Sequence, residues 1–162
     1  MAEETPQGAV PVEPPRGMYP ARLDEKGRLK LPEKFQTYLG DLPEKKLFVT
    51  SLDRHMALVY PIAIWRDNEK LFASHRDNPK VVKRVWFTAQ ELGSEAEMDA
   101  QGRVLFSPEL RRELRIENQP VKVLVANGAI QVMSEELFKA QQAEAVQSSD
   151  DDVETLQRAG LK

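Results

Sequence analysis

Apolar residues along this chain fall into short alternating segments far more often than into long helical stripes. Tyr19–Leu23, Arg28–Leu31, Leu47–Thr50, Ala57–Tyr60, Glu95–Met98, Arg103–Phe106, Val121–Val125 and Ala129–Met133 each read as a strand of four or five residues. Between the fourth and fifth strands the period changes. Ile64, Trp65, Leu71 and Phe72 recur at helical spacing from Pro61 to about His75, and Val82, Val85 and Trp86 do so from Pro79 to about Glu91. The second of these helices is expected to turn all three apolar residues toward the core, and the pair to pack as an αα-hairpin. Asn127-Gly128 is a two-residue hairpin turn between the last two strands. Ser134 followed by Glu135 and Glu136 marks the start of a closing helix.

The same pattern occurs twice. Asp24-Glu25-Lys26-Gly27-Arg28 returns as Asp99-Ala100-Gln101-Gly102-Arg103, and each copy runs into an alternating strand and then a short helix, with Phe35 and Leu39 in one and Leu110 and Leu114 in the other. Self-similarity at a fixed offset implies two copies of one structural unit. Asp at the first position and Gly at the fourth suit a type I turn closed by a residue at positive φ, giving a bulged, strongly twisted hairpin. Beyond each glycine, alternation sends Leu29 and Leu31 inward and Arg28 and Lys30 outward, then Val104 and Phe106 inward and Arg103 and Leu105 outward.

Composition narrows the chemistry. The 162 residues contain no cysteine and two histidines, His55 and His75, so thiolate metal sites and cysteine nucleophiles are excluded and a histidine triad has little material. Neither a membrane-length apolar run nor a signal-peptide core is present, which implies a cytoplasmic protein. The net charge of -3 is unevenly spread: residues 1–17 and 140–162 are acidic, and the body between them is slightly basic. Four prolines and no apolar periodicity mark residues 1–17 as a disordered tail, and residues 141–162 read as a frayed or disordered acidic tail.

The repeated turn admits three readings. In the first, Asp24 with Arg28 and Asp99 with Arg103 are ion pairs that merely pin the hairpins. In the second, Arg28 with Lys26, Lys30 and Arg22 forms a basic patch on a β-hairpin, suited to phosphates and to guanine edges in a major groove, with Arg103 as its counterpart in the second copy. In the third, the two aspartates share a proton as a catalytic dyad; an arginine four positions on would keep each carboxylate ionised, which excludes it. No catalytic residue, metal site, cofactor or small-molecule ligand is indicated.

The segments GMYPARLDEKGRLKLPEKF and EMDAQGRVLFSPELRREL, with the Tyr60-Pro61…Trp65 exit from the first unit, resemble the bacterial MraZ family over roughly Arg16–Ala140. Ser107 departs from the proline usual in that family's second copy. The resemblance implies a mainly β fold with short helices (α+β). Two tandem swapped-hairpin AbrB-like units would form one pseudo-two-fold β-barrel, with a helical pair between them. Its divisions would be a tail over 1–17, a first unit over 18–60, the connecting helices over 61–92, a second unit with its closing helix over 93–140, and the tail over 141–162. It further implies a non-enzymatic, nucleoid-associated, sequence-specific transcriptional regulator that binds double-stranded DNA as a ring-shaped homo-oligomer, upstream of the division and cell-wall genes. Asp24, Gly27 and Arg28, then Asp99, Gly102 and Arg103, occupy the motif positions, and Lys26 matches the first copy. A contrasting expectation is an oligomeric interaction module, antitoxin-like or scaffolding, whose hairpins serve assembly. The charges also distinguish the copies: Arg22, Lys26, Arg28 and Lys30 surround the first turn, whereas Glu97, Gln101, Arg103 and Leu105 surround the second. The first hairpin is therefore expected to contact DNA and the second chiefly to complete the barrel and the subunit contacts.

Overall fold

A computed structural model describes residues 12–147 and 149–162. Its strands are β1 (Tyr19–Leu23), β2 (Arg28–Lys30), β3 (Leu47–Thr50), β4 (Ala57–Pro61), β5 (Ser94–Ala96), β6 (Arg103–Leu105), β7 (Pro120–Ala126) and β8 (Ala129–Ser134). They form one antiparallel, barrel-like sheet in the order β5-β3-β4-β8-β7-β1-β2-β6. The two repeats are interlocked rather than side by side. Strand β1 of the first unit pairs with β7 of the second through Tyr19↔Val123 and Ala21↔Val121, and β5 of the second pairs with β3 of the first through Leu47↔Ala96 and Val49↔Ser94. Once β5 and β6 are joined through the second turn, exchanging the two units maps this order onto itself, which is the pseudo-two-fold, swapped-hairpin arrangement.

The end strands β5 and β6 are joined at the second turn, where the Asp99 N–H donates to the Arg103 carbonyl at 2.9 Å. Strand β5 begins at Ser94 and ends at Ala96, short of the expected Met98. Its register against β3 places Ala96 opposite Leu47, the first residue of β3, so pairing is exhausted before the turn is reached.

Alternation along the strands builds the interior. Leu23, Leu29, Val49, Val59, Val104, Val121, Val123 and Ile130 are fully buried, and Phe35 and Phe106 fill the barrel from the segments that follow each turn. Helices α1 (Glu33–Gly40) and α4 (Pro108–Glu113) are the paired short helices. Ser107, the residue that departs from proline, caps α4 by accepting the Leu110 N–H at 3.2 Å. Helix α2 (Ile62–Ser74) lays Trp65 against Phe48 and Tyr60, with ring centroids 4.5 and 5.1 Å apart, to make a second, aromatic cluster outside the barrel.

Helix α3 (Pro79–Leu92) differs from its expected packing. It buries Ala89 and Leu92, whereas Trp86 is 46% exposed and Phe87 55% exposed. Only the C-terminal end of α3 reaches the barrel, where Thr50 donates to the Ala89 carbonyl at 2.8 Å, and its N-terminal half parts from α2 around an open cleft.

Helix α5 (Glu135–Ala145), capped by Ser134, packs on β7 and β8. The stretch expected to be frayed or disordered instead forms helix α6 (Ser149–Ala159). Asp150, Asp151 and Asp152 lie in its first turn, where negative charge opposes the helix dipole, and Glu154 and Arg158 pair at 3.4 Å one turn apart. Of the expected N-terminal tail, residues 1–11 lie outside the described residues. Val12, Glu13 and Pro15 line a shallow groove with Lys34 and Tyr38 of α1.

Candidate nucleic-acid interface

Both repeated turns have the geometry their sequence requires. In the first, the Gly27 N–H donates to the Asp24 carbonyl at 3.0 Å, the Asp24 N–H donates to the Arg28 carbonyl at 2.9 Å, and Gly27 sits at φ +80°. The Asp24 carboxylate closes the turn from inside. One oxygen accepts the backbone N–H groups of Lys26 and Arg28 at 2.9 and 3.0 Å, and the other accepts Arg28 Nε at 2.8 Å. Asp99 makes the same three contacts with Gln101 and Arg103, at 2.9, 2.9 and 2.8 Å. Those backbone N–H groups, foremost that of the arginine, together with the guanidinium itself, hold both carboxylates below their ordinary range. Each aspartate is thus an ionised fastener, a state incompatible with a shared proton.

The ion pair fixes each arginine without consuming it. Arg28 and Arg103 are bound through Nε, and no hydrogen bond of their terminal nitrogens occurs among the described residues. Their side chains remain 31% and 25% exposed. A guanidinium held this way is preorganised for a second, bidentate partner.

The decisive feature is the pairing of β2 with β6. Arg28 stands opposite Leu105, Leu29 opposite Val104, and Lys30 opposite Arg103. The central pair is buried, so Arg28, Lys30, Arg103 and Leu105 share the outer face of one two-stranded ribbon. Lys30 Nζ reaches across to the Gln101 carbonyl of the second turn. The ribbon is locked at both ends, because the Leu31 N–H donates to Gly102 at 3.0 Å and the Phe106 N–H donates to Gly27 at 2.8 Å. The two hairpins therefore make one composite surface. Lys26 is exposed at the tip of the first turn beside Glu25. Arg22 pairs with Lys30 in register, but its guanidinium is drawn to Asn118, with contacts of 2.9 Å to the carbonyl and 3.3 Å to the side-chain oxygen, which sets it at the flank.

Two further residues belong to the site. Each turn is gripped by the helix of the opposite unit. Arg111 of α4 donates to the Lys26 carbonyl at 3.1 Å and to the Phe106 carbonyl at 3.0 Å, spanning the first turn, and also pairs with Glu117 at 3.4 Å. Gln36 of α1 donates to the Leu31 carbonyl at 2.8 Å and packs on the second turn. The grip is close enough to require glycine: a Cβ on Gly27 would lie 1.7 Å from an Arg111 nitrogen, and one on Gly102 would lie 2.1 Å from the Gln36 amide. Gln36 and Arg111 hold equivalent places in the two repeats, so laying one copy over the other exposes the pair. What that alignment lacks is the crossing over, which depends on strand pairing distant in sequence. Among the described residues no cluster of metal-ligating side chains occurs, and no helix is long and apolar enough to cross a membrane.

An interlocked, swapped-hairpin barrel with a paired Asp/Gly/Arg turn in each half defines an AbrB-like protein. No family model matches the chain. It is, however, 34% identical over 146 residues to the transcriptional regulator MraZ of Acidobacterium capsulatum, covering 90% of this chain and 99% of that protein. It is 32% identical to the MraZ of Neisseria meningitidis serogroup C over 86% of this chain and 91% of that protein. It is 36% identical to the MraZ of Koribacter versatilis over 64% and 71%. The chain belongs to the MraZ family, whose named members here are transcriptional regulators.

Proposed function

We propose that this protein is a sequence-specific DNA-binding transcriptional regulator whose reading head is the β2–β6 ribbon. The observation that carries the proposal is the register of that ribbon, which gathers Arg28, Lys30 and Arg103 on one outward face. A two-stranded antiparallel ribbon fits a major groove, and a bidentate arginine is the commonest reader of guanine. Lys26 at the tip and Arg22 at the flank supply phosphate contacts, which orient the ribbon. One such face carries few charges, so self-association, in a ring-shaped homo-oligomer, multiplies weak contacts along tandem short sites. The division of labour becomes graded rather than absolute: Arg28 and Arg103 both face the groove, and the first turn contributes more charge. The reading is of a binding protein, not an enzyme, acting in the cytoplasm on the nucleoid.

The test is a gel-shift titration across salt concentration with DNA from upstream of the protein's own gene. Wild type should show a steep salt slope and preference over scrambled DNA. Arg28→Ala should lose specific binding with its fold and mass intact, and Arg103→Ala should lose less. Normal operator binding by Arg28→Ala would overturn the assignment, and an equal or larger loss in Arg103→Ala would overturn the ranking.

A further inference from the structure

Among the described residues, helix α6 is not packed against the body of its own chain. Every residue from Asp150 to Lys162 is exposed, although Val153, Leu156 and Leu161 are large and apolar. The helix ends in a built terminus: Gly160 adopts φ +122° and the Leu161 N–H donates to the Leu156 carbonyl at 3.0 Å. This closure folds the residue after the glycine back against the last turn, which gathers Leu161 toward Leu156. Val153 and Leu156 are three positions apart and share a face. The result is a short apolar stripe whose N-terminal half is flanked by Asp150, Asp151, Asp152 and Glu154.

A surface of opposite character lies between α2 and α3. The cleft there measures about 700 Å³, has Phe72, Val82 and Trp86 along its apolar wall, and has Arg76 and Lys83 at its rim. Lys80 and Arg84 extend the basic side along α3, and Glu69 is the acid in the lining. Apolar matches apolar and acid matches base. The chain's own connectivity works against meeting in cis. Strands β4 and β8 are antiparallel neighbours, so α2 and α5, which follow them directly, leave the sheet at opposite ends. Only residues 146–148 separate α5 from α6, a reach from Ala145 to Ser149 of at most about 14 Å.

We infer that α6 of one copy docks into the α2–α3 cleft of a second copy, with Val153, Leu156 and Leu161 on Trp86 and Val82 and the acids against Arg76 and Lys83. This deepens the self-association proposed above and rests on it. The contact is a helix in a groove. It is also head-to-tail: each copy gives one helix and receives one, the geometry that generates a ring when the rotation closes.

The absence of native cysteine makes the test direct. Full-length Leu156→Cys and Val82→Cys chains are mixed and mildly oxidised. The mixture should give at least 10-fold more disulfide-linked dimer than either variant alone. No excess in the mixture, or a cross-link confined to single chains of the doubly substituted protein, overturns the inference. Mass by light scattering supplies the second arm. Asp151→Lys with Asp152→Lys should lower the mass, as should Arg76→Glu with Lys83→Glu, and mixing the two charge-reversed proteins should restore it. Wild-type mass in either reversed variant overturns α6 docking while leaving self-association standing. A monomeric wild type overturns both.

Discussion

Substituting Gly27 by alanine should destabilise the protein chiefly through a residue 84 positions away, Arg111. The backbone at φ +80° costs an alanine about 1 kcal/mol. The new methyl group would also occupy the space of the Arg111 guanidinium, displacing a side chain that is 16% exposed and breaking its bonds to Lys26 and Phe106. Losing both hydrogen bonds, shared by one partly solvated guanidinium nitrogen and worth about 1 kcal/mol each, adds about 2 kcal/mol. Gly27→Ala should therefore cost about 3 kcal/mol in the wild type, but only about 1 kcal/mol where Arg111→Ala has already removed the obstacle. The same cycle at the second turn, Gly102→Ala with Gln36→Ala, involves one bond from a neutral amide and should couple by about 1 kcal/mol. Urea unfolding of the four proteins in each cycle reads these values, since a coupling of about 2 kcal/mol moves the midpoint by roughly 1 M. Equal effects of Gly27→Ala with and without Arg111 would refute the cross-unit grip.

The depressed carboxyls of Asp24 and Asp99 give a defined acid dependence. Their folded-state values lie below the ordinary 3.8, so their contribution to stability is complete above that pH and is lost as pH falls through the depressed folded values. Unfolding followed from pH 6 to pH 2 should show a decline that is shallower in Asp24→Asn, and an unchanged profile would show that the turn aspartate is not linked to folding. Leu105 occupies in the second copy the place of Lys30 in the first and is 54% exposed on the ribbon. Leu105→Lys should leave the fold unaltered and steepen the salt dependence of DNA binding by about one unit of log–log slope. An unaltered slope would remove this part of the ribbon from the phosphate contacts.

Local chemistry made the turns legible. Asp at the first position and Gly at the fourth leave one compact solution, and the alternation that follows assigns Leu29 and Arg28, or Val104 and Arg103, to opposite faces. What no local pattern encodes is which strand lies beside which. That Arg103 stands opposite Lys30, and that Arg111 grips Gly27, both follow from pairing between segments about seventy to eighty residues apart. Helix α3 shows a different limit. Val82, Val85 and Ala89 define one apolar face and Trp86 with Phe87 a second, adjoining one, and periodicity does not say which side the barrel will occupy. The barrel takes the side of Ala89 and Leu92, leaving the larger aromatics outside. At α6, Ser-Asp-Asp-Asp reads equally as a helix stop and as a helix start, because the polar groups that compete with helical bonding also suit a first turn. The expectation of disorder took the first meaning and the chain takes the second.

The pseudo-two-fold ribbon has one more consequence. Two separate, identical chains joined by this interlock would present the same turn twice, and their common face would look alike when rotated by half a turn. Covalent fusion lifts that constraint. With Lys30 answered by Leu105 and Arg111 by Gln36, the surface has a head and a tail. On the proposed DNA-binding reading, such a face distinguishes one direction along the duplex from the other, which a true dimer of this shape cannot do.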